Sequence, residues 1–132
     1  YYRYACYVAL RSTRRYAVNT ASAKAKGRKF QQKVAAIFVK AFGLHPDDIL
    51  SRSMGAGGED LMLSPAARRK LPFSFECKKH KSFSVYKHYE QAIDNSNTYD
   101  PVLLIEGDRK EPLAVISLEL FVRLTRGTDK SN

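Results

Sequence analysis

Two segments of the sequence decide the fold: GGEDLML at residues 57–63 and FSFECK at residues 73–78. The second segment alternates strictly between apolar and polar residues, which is typical of a strand with one face against a core. Phe73, Phe75 and Cys77 share the apolar face. The first segment begins with the last glycines of a glycine-rich loop and ends in the short apolar run 61–63. Together they predict two strands joined by a polar connection.

Three charged residues on these strands form the candidate centre. Positions i and i+2 of a strand point to one side, so Glu76 and Lys78 present a carboxylate and an ammonium together. If the two strands pair as a hairpin, Asp60 lies beside Glu76. Converging carboxylates repel, and Mg²⁺ relieves that repulsion, while a neighbouring lysine positions an attacking water. The pattern indicates a phosphodiester-hydrolysing site, although from spacing alone a surface salt bridge is the simpler interpretation.

Periodicity around this stretch predicts an α/β fold with the order α-β-β-β-α-β, a mixed central β-sheet flanked by helices. Ser22 is the expected N-cap of the first helix, and Gly43 its end. The predicted helices cover 22–43 and 86–95; the strands cover 49–53, 61–63, 73–78, 102–105 and 113–116; 64–72 is a polar connection, and 118–123 is a short helix or strand.

The length of 132 residues fits one domain. We expect this domain to occupy residues 22–125. Residues 1–21 are a basic, aromatic N-terminal extension of doubtful order, and residues 126–132 form a C-terminal tail.

The charge is distributed unevenly along the chain. The net charge is +10, and residues 1–46 carry ten Lys and Arg but no acid, the first being Asp47. Such a one-sided positive field is typical of a protein that binds a polyanion, most often nucleic acid. No apolar run is long enough for a membrane span, and the 2 Cys and 3 His make no disulfide framework or zinc pattern. We therefore expect no membrane partner and a cytoplasmic location, nucleoid-associated or phage-encoded.

The order of these motifs resembles a known family. Asp60, a hairpin-length gap and the triplet at 76–78 resemble the PD-(D/E)XK nuclease superfamily. The wider layout is similar to archaeal-type Holliday junction resolvases: a Lys-Gly pair at 26–27 before a long amphipathic helix, Arg-Ser at 52–53, and a later core strand at 101–105. The resemblance covers roughly residues 24–120. It implies a restriction-endonuclease-like core and a homodimeric endonuclease that cleaves branched or duplex DNA with Mg²⁺, or Mn²⁺ as a substitute.

The resemblance also implies roles for individual residues. Asp60 and Glu76 would be metal ligands, together with the backbone carbonyl of Cys77, and Lys78 would be the catalytic lysine. Gln31 falls where such resolvases carry a glutamate, and its helical angle independently places it among the apolar residues of the first helix. The candidate catalytic residues are Asp60, Glu76, Lys78, Gln31 and Gln91, the last resembling a helix glutamine near the scissile phosphate.

Basic and polar residues around the predicted centre are the candidate DNA contacts. They are Lys24, Lys26, Arg28, Lys29, Lys33, Arg52, Ser53, Arg68, Arg69, Lys79 and Lys81. No recognition helix or zinc finger is visible, so structure-selective cleavage fits better than base-specific reading. Two alternatives remain: a restriction- or repair-type nuclease of the same superfamily, and a non-catalytic nucleic-acid-binding module.

Overall fold

The fold is mixed α/β, with four helices and five strands in the described part of the chain. It is taken from a computed structural model that describes residues 2–53 and 55–128, with side chains from 21 to 127 apart from residue 54. The elements are α1 (Tyr2–Phe42), a 3₁₀ turn (Pro46–Asp48), β1 (Ile49–Ser51), β2 (Leu61–Leu63), α2 (Pro65–Lys70), β3 (Phe73–Lys79), α3 (Val85–Asn95), β4 (Asp100–Glu106), β5 (Leu113–Val115) and α4 (Leu118–Thr128).

The first helix is longer than expected, because it begins at Tyr2 and not at Ser22. No proline or glycine occurs before Gly27, so nothing in this stretch forces the helix to end. Ser22 therefore lies inside α1 and is not its N-cap. The predicted end is confirmed, since Gly43 follows the last helical residue with a φ of +61°, a conformation that glycine adopts without strain.

The five predicted strands and the second predicted helix are found close to their expected positions. Two further helices are present: one was not predicted, and the other lies in a segment predicted as either helix or strand. The expected polar connection contains α2, which Ser64 caps by accepting a hydrogen bond from the Ala67 amide, with Pro65 in the first turn. The segment that begins at Leu118 is a helix, which extends into the predicted C-terminal tail. The final residues, 129–132, lie outside the described part of the chain.

The expected hairpin between the strands at 61–63 and 73–78 is wrong. β2 pairs antiparallel with β1, so that Leu63 lies opposite Ile49. β3 instead pairs in parallel with β4, which pairs antiparallel with β5. The described strands thus form two small sheets in place of one central sheet. The reason is local: α2 occupies the connection and carries the chain away from a tight turn.

Helices cover both faces of the three-stranded sheet. On one face, Phe75 and Leu104 join Phe30 and Val34 of α1 in the main core. On the other face, a smaller cluster contains Leu103 and Ile105 of β4 with Ala92 of α3. Because side chains alternate along β3, its apolar residues face α1 and its polar residues face α3. The candidate centre therefore lies on the α3 side of the sheet.

We predict that Leu103→Ala destabilises the protein strongly. Leu103 is fully buried in the central strand β4, at 0% exposure. Removing its side chain should lower the free energy of unfolding by about 3 kcal/mol, measured by urea denaturation. The control is Leu113→Ala on the edge strand β5, where the leucine is 57% exposed and the expected loss is below about 0.5 kcal/mol. Equal losses in the two variants would contradict the assigned packing.

Candidate active site

Asp60 is held against β3 by its backbone and by its side chain. Its amide donates to the Phe75 carbonyl at 3.0 Å, and its own carbonyl accepts from the Arg52 amide at 2.8 Å. Its carboxylate oxygen Oδ2 accepts from the Cys77 amide at 2.7 Å. Asp60 therefore lies next to Glu76 even though β2 pairs with another strand.

The glycine-rich loop before Asp60 brings a cation close to it. Gly58 has a φ of +95°, in the left-handed region that favours glycine. This turn allows Arg52 Nε to donate to the Glu59 carbonyl at 2.7 Å. The guanidinium then lies close enough for its charge to lower the pKa of Asp60.

Glu76 is buried and has a partner for each carboxylate oxygen. It is 2% exposed, and its Oε1 lies 3.2 Å from Lys78 Nζ. Its Oε2 accepts a hydrogen bond from Asn95 Nδ2 at 3.1 Å. A buried carboxylate without such partners would be costly, so Lys78 and Asn95 together keep this one in place. The predicted placement of Glu76 and Lys78 on one side of the strand is confirmed.

The two carboxylates interact electrostatically. Burial, together with the charge on Glu76, raises the pKa of Asp60 to about 6 against the opposing effects of the Cys77 amide, Lys78 and Arg52. Burial, followed by the charges of Asp60 and Glu76, raises the pKa of the Cys77 thiol. The thiol is therefore protonated at neutral pH, and only the backbone of this residue offers polar atoms to the centre.

The two candidate glutamines differ in their environment. Gln31 is 4% exposed, which confirms its predicted inward direction, and its Oε1 has no hydrogen-bond partner among the described atoms. Gln91 is exposed on α3. The α3 residue that contacts Glu76 is Asn95, which sequence reasoning missed. Its signal was spacing: His88, Ala92 and Asn95 recur at i, i+4 and i+7 on one helix face.

Arg68, a candidate DNA contact, is committed to the interior. Its Nη2 forms an ion pair with Glu59 Oε1, and its Nη1 donates to the Phe73 carbonyl at 2.5 Å. Its guanidinium carbon also lies 4.4 Å from the ring centroid of Tyr99. Arg68 thus connects the glycine-rich loop, α2 and β3. Glu59, in turn, is 8% exposed.

Apart from Arg52 and Arg68, the candidate DNA contacts divide into two groups. Lys33 and Lys79 both bind the carboxylate of Glu106 on the α1 side of the sheet. Burial acts to raise the pKa of Glu106, but hydrogen bonds from these two lysines lower it below its usual value. The exposed candidates are Lys24, Lys26, Arg28, Lys29, Ser53, Arg69 and Lys81. Four of these, Lys24, Lys26, Arg28 and Lys29, form an exposed basic surface on α1.

Comparison of the chain with protein-family models, curated proteins and solved structures yields no match. Among the side chains that the structure describes, no group of three or more His, Cys, Asp or Glu could hold a metal ion. None of the helices described is long and apolar enough to cross a membrane. The arrangement around Asp60 must therefore be judged on its own chemistry.

We predict that Asp60→Asn stabilises the metal-free protein at neutral pH. The native pKa of Asp60, about 6, lies above its unfolded value of 3.8. The native state therefore binds the extra proton between these values, and stability falls as pH rises through this window. With allowance for solvent screening, the variant should exceed wild type by about 1–2 kcal/mol at pH 7.5, with no difference below about pH 4.

Urea denaturation in the presence of a chelator, between pH 3.5 and 8, measures this difference. Asn retains an oxygen that accepts the hydrogen bond from the Cys77 amide, so the variant changes mainly the charge. Asp108→Asn, in the exposed turn after β4, is the control for a general charge effect. A pH-independent difference between Asp60→Asn and wild type would contradict the prediction.

Proposed function

We propose that this protein is a Mg²⁺-dependent DNA endonuclease that hydrolyses phosphodiester bonds at Asp60, Glu76 and Lys78. The observation that carries the proposal is the pairing of two interacting carboxylates with one lysine. Glu76 Oε1 lies 3.2 Å from Lys78 Nζ, and Asp60 is bonded to the adjacent backbone amide at 2.7 Å. We also propose that the core has a restriction-endonuclease-like arrangement.

The oxygen atoms around Asp60 suit a hard divalent cation. Asp60 and Glu76 would hold it, together with the backbone carbonyl of Cys77. Bound Mg²⁺ would neutralise charge on the phosphate and make a coordinated water more acidic. Gln31, on α1, has a buried amide oxygen with no partner among the described atoms, but no described contact joins it to Asp60 or Glu76. An amide brings no charge, and two carboxylates alone predict weak metal binding.

Lys78 is the residue best placed to act on the substrate. Its side chain is 20% exposed, whereas that of Glu76 is 3% exposed, so the ammonium reaches the surface and the carboxylate does not. From this position the ammonium would stabilise negative charge on the phosphate and orient the attacking water. Asn95 holds the second oxygen of Glu76 and so fixes the direction in which the first oxygen points.

The exposed bases of α1 would bind the phosphates of the substrate. Such contacts are independent of sequence and weaken with salt, which suits cleavage selected by DNA structure. We propose branched DNA as the substrate and a homodimer as the active form, because a four-way junction needs two cuts. A restriction- or repair-type nuclease would have the same centre and would prefer linear or flapped DNA.

One observation favours a non-catalytic nucleic-acid-binding module. The described residues include no third acidic or histidine side chain beside Asp60 and Glu76. In this second candidate function, the Glu76–Lys78 pair is structural and the basic surface alone binds nucleic acid. The two experiments below distinguish it from the nuclease.

We predict that Lys78→Met abolishes DNA cleavage. The methionine retains most of the apolar stem and removes the ammonium, so the rate with labelled four-way, flapped and linear DNA in Mg²⁺ should fall at least about 100-fold. DNA affinity should change less than about threefold, since one phosphate contact among several is lost. The control is Lys110→Met, an exposed lysine in the turn after β4 that is not among the candidate DNA contacts, which should cleave normally. Unchanged Mg²⁺-dependent cleavage by folded Lys78→Met would refute the site.

We predict that metal binding depends on both carboxylates. Titration calorimetry with Mn²⁺ should show at least about tenfold weaker binding in Asp60→Asn and in Glu76→Gln, because each variant removes one charged ligand. Asp94→Asn, on the exposed surface of α3, is the matched control and should bind as wild type does. Metal binding that is absent, or equal in all four proteins, would favour the non-catalytic module.

A further inference from the structure

Two imidazoles stack on the α3 side of the sheet. His80 follows the last residue of β3, and His88 belongs to α3. Their rings are parallel within 5°, with centroids 5.2 Å apart. Phe83 meets both rings edge-on, at 5.6 Å from His80 and 6.1 Å from His88. The His80 amide also donates to the Glu106 carbonyl at 3.3 Å, which anchors the backbone of His80 to β4.

This pair continues the row of polar residues that contains the candidate centre. Glu76, Lys78 and His80 stand at i, i+2 and i+4, and therefore on one side of the extended chain. His88 approaches the same side from α3, one turn before Ala92, which packs on β4. The Lys78 charge acts on both imidazoles, and the Glu76 charge acts on His88.

The surroundings of the imidazoles are cationic. Burial lowers the pKa of His80, and the charge of Lys78 lowers it further. Burial lowers the pKa of His88 as well, followed by the charges of His80, Lys78 and Lys87. The acidic groups nearest to them already have partners. Glu76 binds Lys78 and Asn95, and Glu106, at the end of β4, binds Lys33 and Lys79.

Simple packing and a bound metal ion both explain this arrangement poorly. His80 is exposed and His88 is half-buried, so the stack opens to solvent. Parallel rings 5.2 Å apart keep their nitrogen lone pairs in two separate planes, so the two rings cannot both point a lone pair at one ion. The neighbouring lysines also repel a cation. A phosphate, in contrast, has several oxygens, so different oxygens can accept from the two imidazoles, and the charges of Lys78 and Lys87 attract it.

We infer that His80 and His88 form a second phosphate-binding subsite, which holds a phosphate of the DNA strand beside the one at Lys78. This inference rests on the proposed function for the identity of the substrate, but not for the chemistry of the site. A phosphate supplies the negative charge that the cluster lacks, so its binding favours protonated imidazoles. By linkage, the protein takes up protons when it binds DNA, and its affinity increases as pH falls.

DNA affinity measured in a chelator, between pH 5.5 and 8, tests the subsite without any cleavage. For wild type we expect affinity to rise as pH falls, by up to about tenfold per pH unit for each proton taken up. His80→Asn/His88→Asn should lose this extra dependence and bind about tenfold more weakly than wild type at pH 6. The single variant His80→Asn, at the exposed position, should lose part of it.

Two further variants isolate the imidazole pair from other titrating groups. His45→Asn is the matched control, because His45 is exposed and accepts a hydrogen bond from the Asp47 amide through Nδ1, which asparagine reproduces. It should behave as wild type. Asp60→Asn removes the carboxyl group with a pKa of about 6, so the pH dependence that survives in this background belongs to the histidines.

Inorganic phosphate provides a probe that does not involve DNA. In proton NMR titrations, phosphate should raise the pKa of His80 and His88 and should not move the imidazole signals of His45. A protein that cleaves no DNA but shows this shift would retain the subsite while losing the proposed nuclease function. Identical pH dependence of DNA affinity in wild type and the double variant, or imidazole signals that do not respond to phosphate, would overturn the inference.

Discussion

The candidate centre depends on one hydrogen bond, from the Cys77 amide to the carboxylate of Asp60 at 2.7 Å. β2 pairs with β1, so no strand ladder carries Asp60 to β3. This bond and the bond from the Asp60 amide to Phe75 replace the ladder at that position. They bring the carboxylate of Asp60 beside Glu76, where it is partly buried. The loss of solvation raises the pKa of Asp60. Polar bonds at the edge of β2, more than apolar packing, therefore determine the geometry of the centre.

Buried carboxylates also decide which cations are available on the surface. Glu59, Glu76 and Glu106 are all buried, at 8%, 2% and 7% exposure. Each has a cationic partner because an unpaired buried charge would be strongly destabilising. Arg68 is committed to Glu59, Lys78 contacts Glu76, and Glu106 binds two lysines. Part of the positive charge in the net +10 is therefore paired with buried carboxylates. The bases of α1 remain exposed and are available to an anionic partner.

The elements could be predicted where a local pattern determines them. Alternation along residues 73–78 predicts β3 and the shared side of Glu76 and Lys78, because the period of a strand is a property of the backbone. Strand partners could not be predicted in this way, since apolar patterning specifies a buried face and not the neighbour across it. The start of α1 could not be predicted from periodicity, because residues 1–19 show no helical repeat of apolar residues, and Ser22 resembles an N-cap. Asn95 was missed because only the tertiary fold brings α3 over Glu76.

Cys77 has two roles that are separated by its own backbone. Its amide holds Asp60, and its thiol is buried in the core beneath α1 at 8% exposure. Any local opening that frees the thiol must also move the strand that carries this amide. A buried, protonated thiol does not react until the strand opens. The rate at which a thiol reagent modifies Cys77 therefore reports how often the centre opens. The protein thus contains an intrinsic chemical reporter of how often its carboxylates are apart.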